Sequence, residues 1–283
     1  MTDTEIQFRK KRETGDIFTD SFRFLKQEYK PISKLFAIYI LPFIIVYGVL
    51  QVYVQMKVMG KVDLNDPDMI LSNIGPIYSN IFLVSLFGLF VQSLLGGTYY
   101  TFIEYYVTKG KDNFELSEIT PLFFSNSLLA LGANLLLFLA VLSGIIMCIV
   151  PGIYFANTFS VVVMVLIFEK KGVGNAFTRS WKLVNSQWWN TFLVNLAGIV
   201  IIYAVSFALS IPSMIAGISS TVFNLQQTGT IHYPDWYWVL MGFSVIVSAI
   251  LWIIPYTFLA FQYFNLDERT KPVPPPGQNS PGA

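Results

Sequence analysis

The fold is decided by residues 122–168, which read LFFSNSLLALGANLLLFLAVLSGIIMCIVPGIYFANTFSVVVMVLIF and contain no Asp, Glu, Lys or Arg. This run is too long for one membrane helix, because about 20 helical residues cross the hydrocarbon core of a bilayer. It is long enough for two. Pro151-Gly152 is the natural breaker between them, and a turn nearer Ser143-Gly144 is the alternative. The run therefore predicts a tight membrane hairpin.

The rest of the chain has the composition of a membrane protein. Of its 283 residues, 54% are hydrophobic and only 12% are charged, against about 25% charged in soluble domains. Helices are expected because backbone polar groups in lipid must bond within their own segment. Six segments are long enough to span, near 32–56, 77–107, 121–149, 152–168, 190–213 and 236–264. We predict an all-α polytopic bundle of three helical hairpins, forming one membrane domain over residues 15–269.

The positions of the basic residues predict the orientation of this domain. With six spans, all 18 Lys and Arg except Lys57 and Lys61 fall on the side that holds both chain ends. Cytoplasmic loops carry such an excess of basic residues. We therefore expect a cytoplasmic N-terminal arm over residues 1–14 and a cytoplasmic tail over residues 270–283. The Pro-rich and Gly-rich composition of the tail predicts disorder.

Two segments on the predicted cytoplasmic side repeat one pattern. Phe-Thr-x-Ser-aromatic-basic occurs at residues 18–23 and again at 177–182, each time before an odd-numbered span. Apolar residues, most of them aromatic, recur every three or four positions near 16–30 and near 174–188, with basic residues on another face. The two predicted faces are Phe18, Phe22, Leu25 and Tyr29, and Phe177, Trp181, Val184 and Trp188. This pattern is typical of helices that lie in the membrane interface. The candidate contacts to lipid headgroups are Arg23, Lys26, Lys30, Arg179 and Lys182.

A weaker copy of the pattern precedes the third span, at residues 113–127. The even-numbered spans also share a Thr-Phe step, at residues 101–102, 158–159 and 257–258. We therefore interpret the chain as three units, each an interfacial helix followed by a two-helix hairpin.

Several elements resemble one family of bacterial membrane proteins. They are the N-terminal amphipathic helix, the PGIY turn at 151–154, the AFTRSW element at 176–181 and the YFNLDER run at 263–269. Together they resemble the YciC-like proteins and the membrane domain attached to some glycerophosphoryl diester phosphodiesterases. The resemblance implies a six-helix bundle in the bacterial inner membrane. It implies no phosphodiesterase activity, because that activity belongs to a separate soluble domain.

Three polar residues within the predicted spans are candidates for function. Glu104 is the only acid there, so it could be a proton or cation site. Alternatively, Glu104 reaches the cytoplasmic interface near Lys109. Asn134 and Asn157 could line a solute path, although such amides more often form hydrogen bonds between helices.

Most catalytic and metal sites lack the residues they need in this chain. The single histidine, His232, and the single cysteine, Cys148, exclude a multi-histidine metal site and an internal disulfide. Asp63, Asp66 and Asp68 lie in one loop, but the glycine hinge and closing glutamate of an EF-hand are missing. No phosphate-binding loop or catalytic triad is present. We expect no cofactor.

The sequence therefore favours a non-enzymatic integral membrane protein that binds or organises lipid, or that is an accessory subunit of a membrane complex. The expected partners are anionic lipids on the cytoplasmic side, and no nucleic acid. The alternative is a transporter of a lipid or small apolar solute. A transporter predicts a cavity between the repeats, lined by Glu104, Asn134 or Asn157.

Overall fold

A computed structural model of the chain describes residues 5–59, 67–111, 113–227 and 233–271. Most residues of these ranges are helical, and none lies in a strand. The sequence predictions for Asp63 and Asp66, for His232 and for the tail beyond residue 271 fall outside them.

The described part contains α1 (Thr14–Gln27), α2 (Tyr29–Leu35), α3 (Leu41–Met59), α4 (Pro67–Lys109), α5 (Thr120–Met147), α6 (Ile149–Thr158), α7 (Val162–Phe168), α8 (Val173–Asn185), α9 (Trp188–Gln227), α10 (Asp235–Leu251) and α11 (Ile253–Thr270). A π-helical turn, Phe36–Ile40, joins α2 to α3, and a 3-10 turn, Leu116–Ile119, precedes α5. Six segments are long and apolar enough to cross a membrane: Tyr29–Lys57, Ile74–Lys109, Leu116–Met147, Ile149–Phe168, Trp188–Ser220 and Asp235–Thr270. The predicted all-α polytopic bundle is confirmed.

The even-numbered spans form the centre of the bundle. Three stretches are buried almost without interruption, namely residues 93–103 of α4, 161–167 around α7 and 257–266 of α11. Helices that are shielded on every side are core helices. α4 packs against both α7 and α11. The odd-numbered spans lie outside this centre and expose many large apolar side chains, as a lipid-facing surface requires.

The three hairpins follow one another in a closed order around this centre. Spans two and three pack through α4 and α5, spans four and five through α6 and α9, and spans six and one through α10 and α3. Each even span therefore packs against the odd span of the next hairpin, and the last hairpin returns to the first.

The turn between spans three and four lies at Cys148, between the two predicted positions. α5 ends at Met147, and Cys148 is extended, with φ −175° and ψ 154°. Pro151 consequently falls in the first turn of α6, where its missing N–H costs no hydrogen bond. A Cβ on Gly144 would lie 2.7 Å from the backbone nitrogen of Gly152. The close packing of these two glycines, and not the proline, allows the tight return.

The described part of the predicted N-terminal arm is not free but belongs to the bundle. Phe8 is only 2% exposed. Its ring stacks on Phe261 of α11, with centroids 4.3 Å apart, and meets Tyr106 of α4 at 5.8 Å. Residues 5–13, here called the N-terminal segment, therefore lie at the same end of the bundle as the last turns of α11. We call this end the termini end.

Candidate functional site

α1 packs across the termini end as an amphipathic helix, but it is rotated from the predicted orientation. Ile17, Ser21 and Phe24 form its buried face, and α1 packs against α11. The predicted aromatic face borders this contact. Its Phe22 touches the ring of Phe258 at 5.4 Å and is still 47% exposed. The helix therefore presents aromatic groups both to the protein and to its surroundings.

α8 repeats this arrangement on another part of the bundle. Ala176, Ser180, Leu183 and Val184 are buried. The ring of Phe177 lies 5.0 Å from that of Phe159, and Trp181 lies 5.9 Å from the same ring. Trp181 is 40% exposed. Both segments thus form amphipathic helices, Thr14–Gln27 and Val173–Asn185, and their place in the membrane interface stays a prediction. The weaker middle copy does not form such a helix, because only the short turn Leu116–Ile119 precedes α5.

Four of the five predicted headgroup contacts are accessible at the surface. Arg23, Lys26 and Lys30 on α1 and α2, and Lys182 on α8, are exposed. None of these four forms an ion pair with another described residue. Exposed cations beside exposed aromatic rings are the surface chemistry expected of an interfacial helix.

Arg179, the fifth predicted contact, is committed to carboxylates of the protein. Its Nε donates to Oε1 of Glu169 at 3.0 Å, and its Nη2 donates to Oδ1 of Asp267 at 2.7 Å. Burial would raise the pKa of Glu169, but hydrogen bonds from Lys171, Arg179 and Tyr263 outweigh it and lower that pKa. Arg179 therefore joins α8 to α11 and to the residue that follows α7, through two of its guanidinium nitrogens.

The polar residues inside the spans are bonded within the protein. Glu104 pairs with Lys170, Oε1 to Nζ at 3.3 Å, in the connection between α7 and α8. Asn134 donates to the Ser93 hydroxyl at 2.9 Å and so ties α5 to α4. Asn134 thus joins two helices, as such amides commonly do, and Glu104 has a partner in a loop at the end of its span.

Asn157 is likewise engaged between helices. It donates to the backbone oxygen of Trp188 at 3.1 Å and accepts from Asn195 at 2.8 Å. Asn157 therefore holds the start of α9 against α6.

Arg12 is a structural centre that the sequence analysis did not single out. It is 4% exposed. Its guanidinium donates to Asp20 and to the Phe8 carbonyl, at 2.8 and 2.7 Å, and lies over the ring of Phe261 at 4.8 Å. Its backbone N–H donates to Asn265 of α11 at 2.8 Å. No local pattern could have marked Arg12, because α11 is distant in sequence.

Two apolar grooves open at the surface beside α1 and α8. The first, here called the α1 groove, has a volume of about 370 Å³, and its walls include Leu25, Tyr29, Ile32, Phe36, Ile250 and Ile253. The second, here called the α8 groove, has a volume of about 540 Å³ and is walled by Ile153, Tyr154, Asn185, Trp188, Trp189 and Phe192, together with Val150. Glu104, Asn134 and Asn157 line neither groove.

A third cavity, of about 320 Å³, lies beside the N-terminal segment and is lined by Glu5, Phe8, Arg9 and Tyr106 among others. Within the described ranges, no three His, Cys, Asp or Glu side chains come together in a way that could hold a metal ion.

Comparison with known proteins gives no match, whether with family models, curated proteins or solved structures. The resemblance to the YciC-like proteins therefore stays a prediction.

Proposed function

We propose that this chain is a non-enzymatic membrane protein that binds and organises lipid at one face of the bilayer, through α1 and α8. One observation carries the proposal: each helix is anchored by aromatic rings and also holds an exposed ring next to an exposed, unpaired cation. These neighbours are Phe22 with Arg23, and Trp181 with Lys182. Rings favour the headgroup region and cations favour anionic lipid.

We also propose that the bundle is an internal threefold repeat. The aromatic residue before each odd span contacts the phenylalanine of a Thr-Phe step in the neighbouring unit. These contacts are Phe18 with Phe258, Phe114 with Phe102, and Phe177 with Phe159, with centroids 5.0, 5.6 and 5.0 Å apart. The first contact joins the two ends of the chain, whereas the other two are local. The repeat explains why two similar lipid-facing helices occur in one chain.

The orientation and membrane proposed here follow from charge and resemblance. The exposed cations of α1 belong to the termini end, and the positive-inside rule makes that end cytoplasmic. The resemblance to the YciC-like proteins adds the bacterial inner membrane. The cytoplasmic leaflet carries anionic lipid, so basic side chains at this end would attract it.

A transporter is the second candidate, and the polar residues of the spans give it less support. Transport of a solute between the repeats would call for Asn134, Asn157 or Glu104 on a cavity wall. Each of these side chains instead has a hydrogen-bond or ion-pair partner in the protein. A protein that is an accessory subunit of a membrane complex would use the same surface of α1 and α8. The experiment below distinguishes lipid binding from that role.

The proposal is tested by native mass spectrometry of the protein extracted with its surrounding lipid. The variant combines Phe22→Ala, Arg23→Gln, Trp181→Ala and Lys182→Gln. Each basic residue near an anionic surface contributes about 1 kcal/mol, so retained anionic lipid should fall by roughly tenfold or more. Unchanged lipid retention would overturn the proposal. A co-purifying protein without specific lipid would favour the accessory subunit.

The matched control is a cation beside an aromatic ring outside α1 and α8, in span one. Lys57 lies over Tyr53, 4.6 Å from the ring centroid, in α3. The double variant Tyr53→Ala and Lys57→Gln should leave retention of anionic lipid unchanged. A loss as large as that of the fourfold variant would show that any exposed cation and ring produce the effect.

A further inference from the structure

The α1 groove has the size and lining of a site for a hydrocarbon chain. Its volume of about 370 Å³ lies in the range of ligand sites, about 300–1,000 Å³. One wall comes from the end of α1 and the start of span one, where Ile32 and Phe36 are located. The opposite wall comes from Ile250 and Ile253 of span six. The groove therefore lies where the last hairpin meets the first.

Three lysines are direct sequence neighbours of residues that line this groove. Leu25, Tyr29 and Ser33 line the groove, and the next residues in the chain are Lys26, Lys30 and Lys34. All three lysines are exposed, and none is ion-paired within the described part of the chain. The ammonium of Lys30 lies 5.9 Å from the ring centroid of Tyr29. The Lys30 ammonium therefore lies close to a ring that lines the apolar groove, and two further lysines directly follow lining residues in the sequence.

The acidic residues near these lysines are already paired with other cations. Asp20 binds Arg12 at 2.8 Å, and Glu28 binds Lys111 at 3.0 Å. Neither carboxylate forms an ion pair with Lys26 or Lys30. No described carboxylate thus neutralises Lys26 or Lys30, and their charge can attract an anion such as a lipid phosphate.

The α8 groove provides an internal comparison. Under the alignment that places Phe18 on Phe177, Lys26 corresponds to Asn185 and Lys30 to Trp189. Both of these residues line the α8 groove, and Asn185 accepts a hydrogen bond from the Tyr154 hydroxyl at 3.1 Å. Tyr29 and Ser33 of the α1 groove correspond to Trp188 and Phe192 of the α8 groove, so the two grooves are similarly placed. The lysines beside the α1 groove have no basic counterparts beside the α8 groove.

We infer that the α1 groove binds one acyl chain of an anionic phospholipid, whose phosphate contacts Lys26 and Lys30. The inference rests on the proposed function and deepens it, because it names the ligand and the site. The acyl chain fills the space between Ile32 and Ile253, where it shields apolar surface of two hairpins. The phosphate neutralises lysines that the protein itself leaves unpaired.

The test uses the full chain in lipid vesicles and two photoactivatable lipids with a diazirine in one acyl chain. One probe is a phosphatidylglycerol and the other a phosphatidylcholine. Cross-linked peptides are mapped by mass spectrometry. The anionic probe should label the α1 groove several-fold more than the α8 groove, whereas the zwitterionic probe should show no such preference.

The variant Lys26→Gln with Lys30→Gln should reduce anionic labelling of the α1 groove by roughly tenfold or more. The matched control, Lys10→Gln with Lys11→Gln, removes two exposed lysines of the N-terminal segment and should leave labelling unchanged. Ala37→Phe places a ring in the groove wall and should reduce labelling of this groove by both probes. The charge variants keep the test decisive if Ala37→Phe fails to fold.

Equal labelling of the two grooves by the anionic probe, or no effect of the Lys26 and Lys30 substitutions, would overturn the inference. The proposed function has a separate readout, which is total lipid retained by the fourfold variant. Loss of lipid in that variant without groove-specific labelling would leave the proposed function standing and remove this site. If the anionic probe labels the α1 groove but the fourfold variant retains all its lipid, the groove site would stand and the role proposed for the exposed rings and cations of α1 and α8 would be removed.

Discussion

Glu169 is the side chain through which three helices of the termini end are joined. It directly follows α7 and accepts hydrogen bonds from Arg179 of α8 and from the Tyr263 hydroxyl of α11, both at 3.0 Å. Because those bonds favour the ionised carboxylate, they lower the pKa of Glu169 despite its partial burial. The arginine that the sequence marked as a lipid contact is thereby explained as part of the protein's own packing.

The lowered pKa of Glu169 predicts how acid acts on the fold. Its stabilisation is fully present above 4.5, the ordinary pKa of a glutamate, and is lost as pH falls through the lowered pKa of the folded state. Glu169→Gln should therefore lower the melting temperature at pH 7. On acidification, the melting temperature of this variant should fall less than that of the wild type. Thermal unfolding in detergent at pH 7, 5 and 4 measures both effects.

Asp235→Asn is the control, because Asp235 forms no ion pair with a described residue. It should leave the acid-induced loss of stability as in the wild type. Identical pH profiles for Glu169→Gln and the wild type would contradict the assigned role of Glu169.

At the scale of the element, the hairpins are held by small residues and a few amides. A Cβ on Gly97 of α4 would lie 2.7 Å from the Cα of Ser127 in α5. Beside this close crossing, Asn126 donates to Thr101 at 2.7 Å. Lipid provides no hydrophobic drive between helices, so close backbone packing and interhelical hydrogen bonds carry the association.

The two glycines of α5 give a matched test of this packing. Gly144→Ala should destabilise the protein by about 1–3 kcal/mol, because the new Cβ would meet the backbone of Gly152 at 2.7 Å. Gly132→Ala has open space around its Cβ and should be neutral, or stabilising by up to about 1 kcal/mol through helix propensity. Reversible unfolding in mixed micelles measures both. Equal effects of the two substitutions would contradict the close packing at Gly144.

The elements that the sequence predicted well are those whose signal is local. Each span was visible because apolarity over about 20 residues is a property of the segment itself. The rotation of α1 was not visible, because its spacing of Phe18 and Phe22 fits a lipid-facing or a protein-facing helix equally well. The contact with Phe258, which decides between these orientations, joins residues at opposite ends of the chain.

At the scale of the whole molecule, the same difference between local signals and long-range contacts explains which parts of the candidate site the sequence did not predict. Arg23, Lys26, Lys30 and Lys182 were recognisable because exposed basic residues follow the helical period. Burial of the N-terminal segment was not recognisable. Its charged residues read as a solvated arm, whereas Arg12 is satisfied by Asp20 and Asn265 once α11 packs beside it.

The buried N-terminal segment joins the last hairpin to the first and so completes the closed order of hairpins around the bundle. Arg269 of α11 donates to the Arg12 carbonyl at 2.8 Å, and Arg9 pairs with Asp267 at 3.4 Å. Phe8 lies beneath these contacts and meets the ring of Phe24 in α1 at 5.0 Å. The first and last hairpins are therefore joined by aromatic packing that charged groups cover.

Phe8→Ala should weaken this closure more than any single polar change, because loss of a buried phenylalanine ring costs about 3–5 kcal/mol. Since Phe8 touches both α1 and α11, hydrogen exchange measured by mass spectrometry should rise over residues 5–27 and in the last turns of α11. Exchange in the α5–α6 hairpin should stay at the wild-type rate, and the exposed Lys10→Ala should change neither region. A rise confined to residues 5–13 would show that the segment only rests on the bundle and does not hold its ends together.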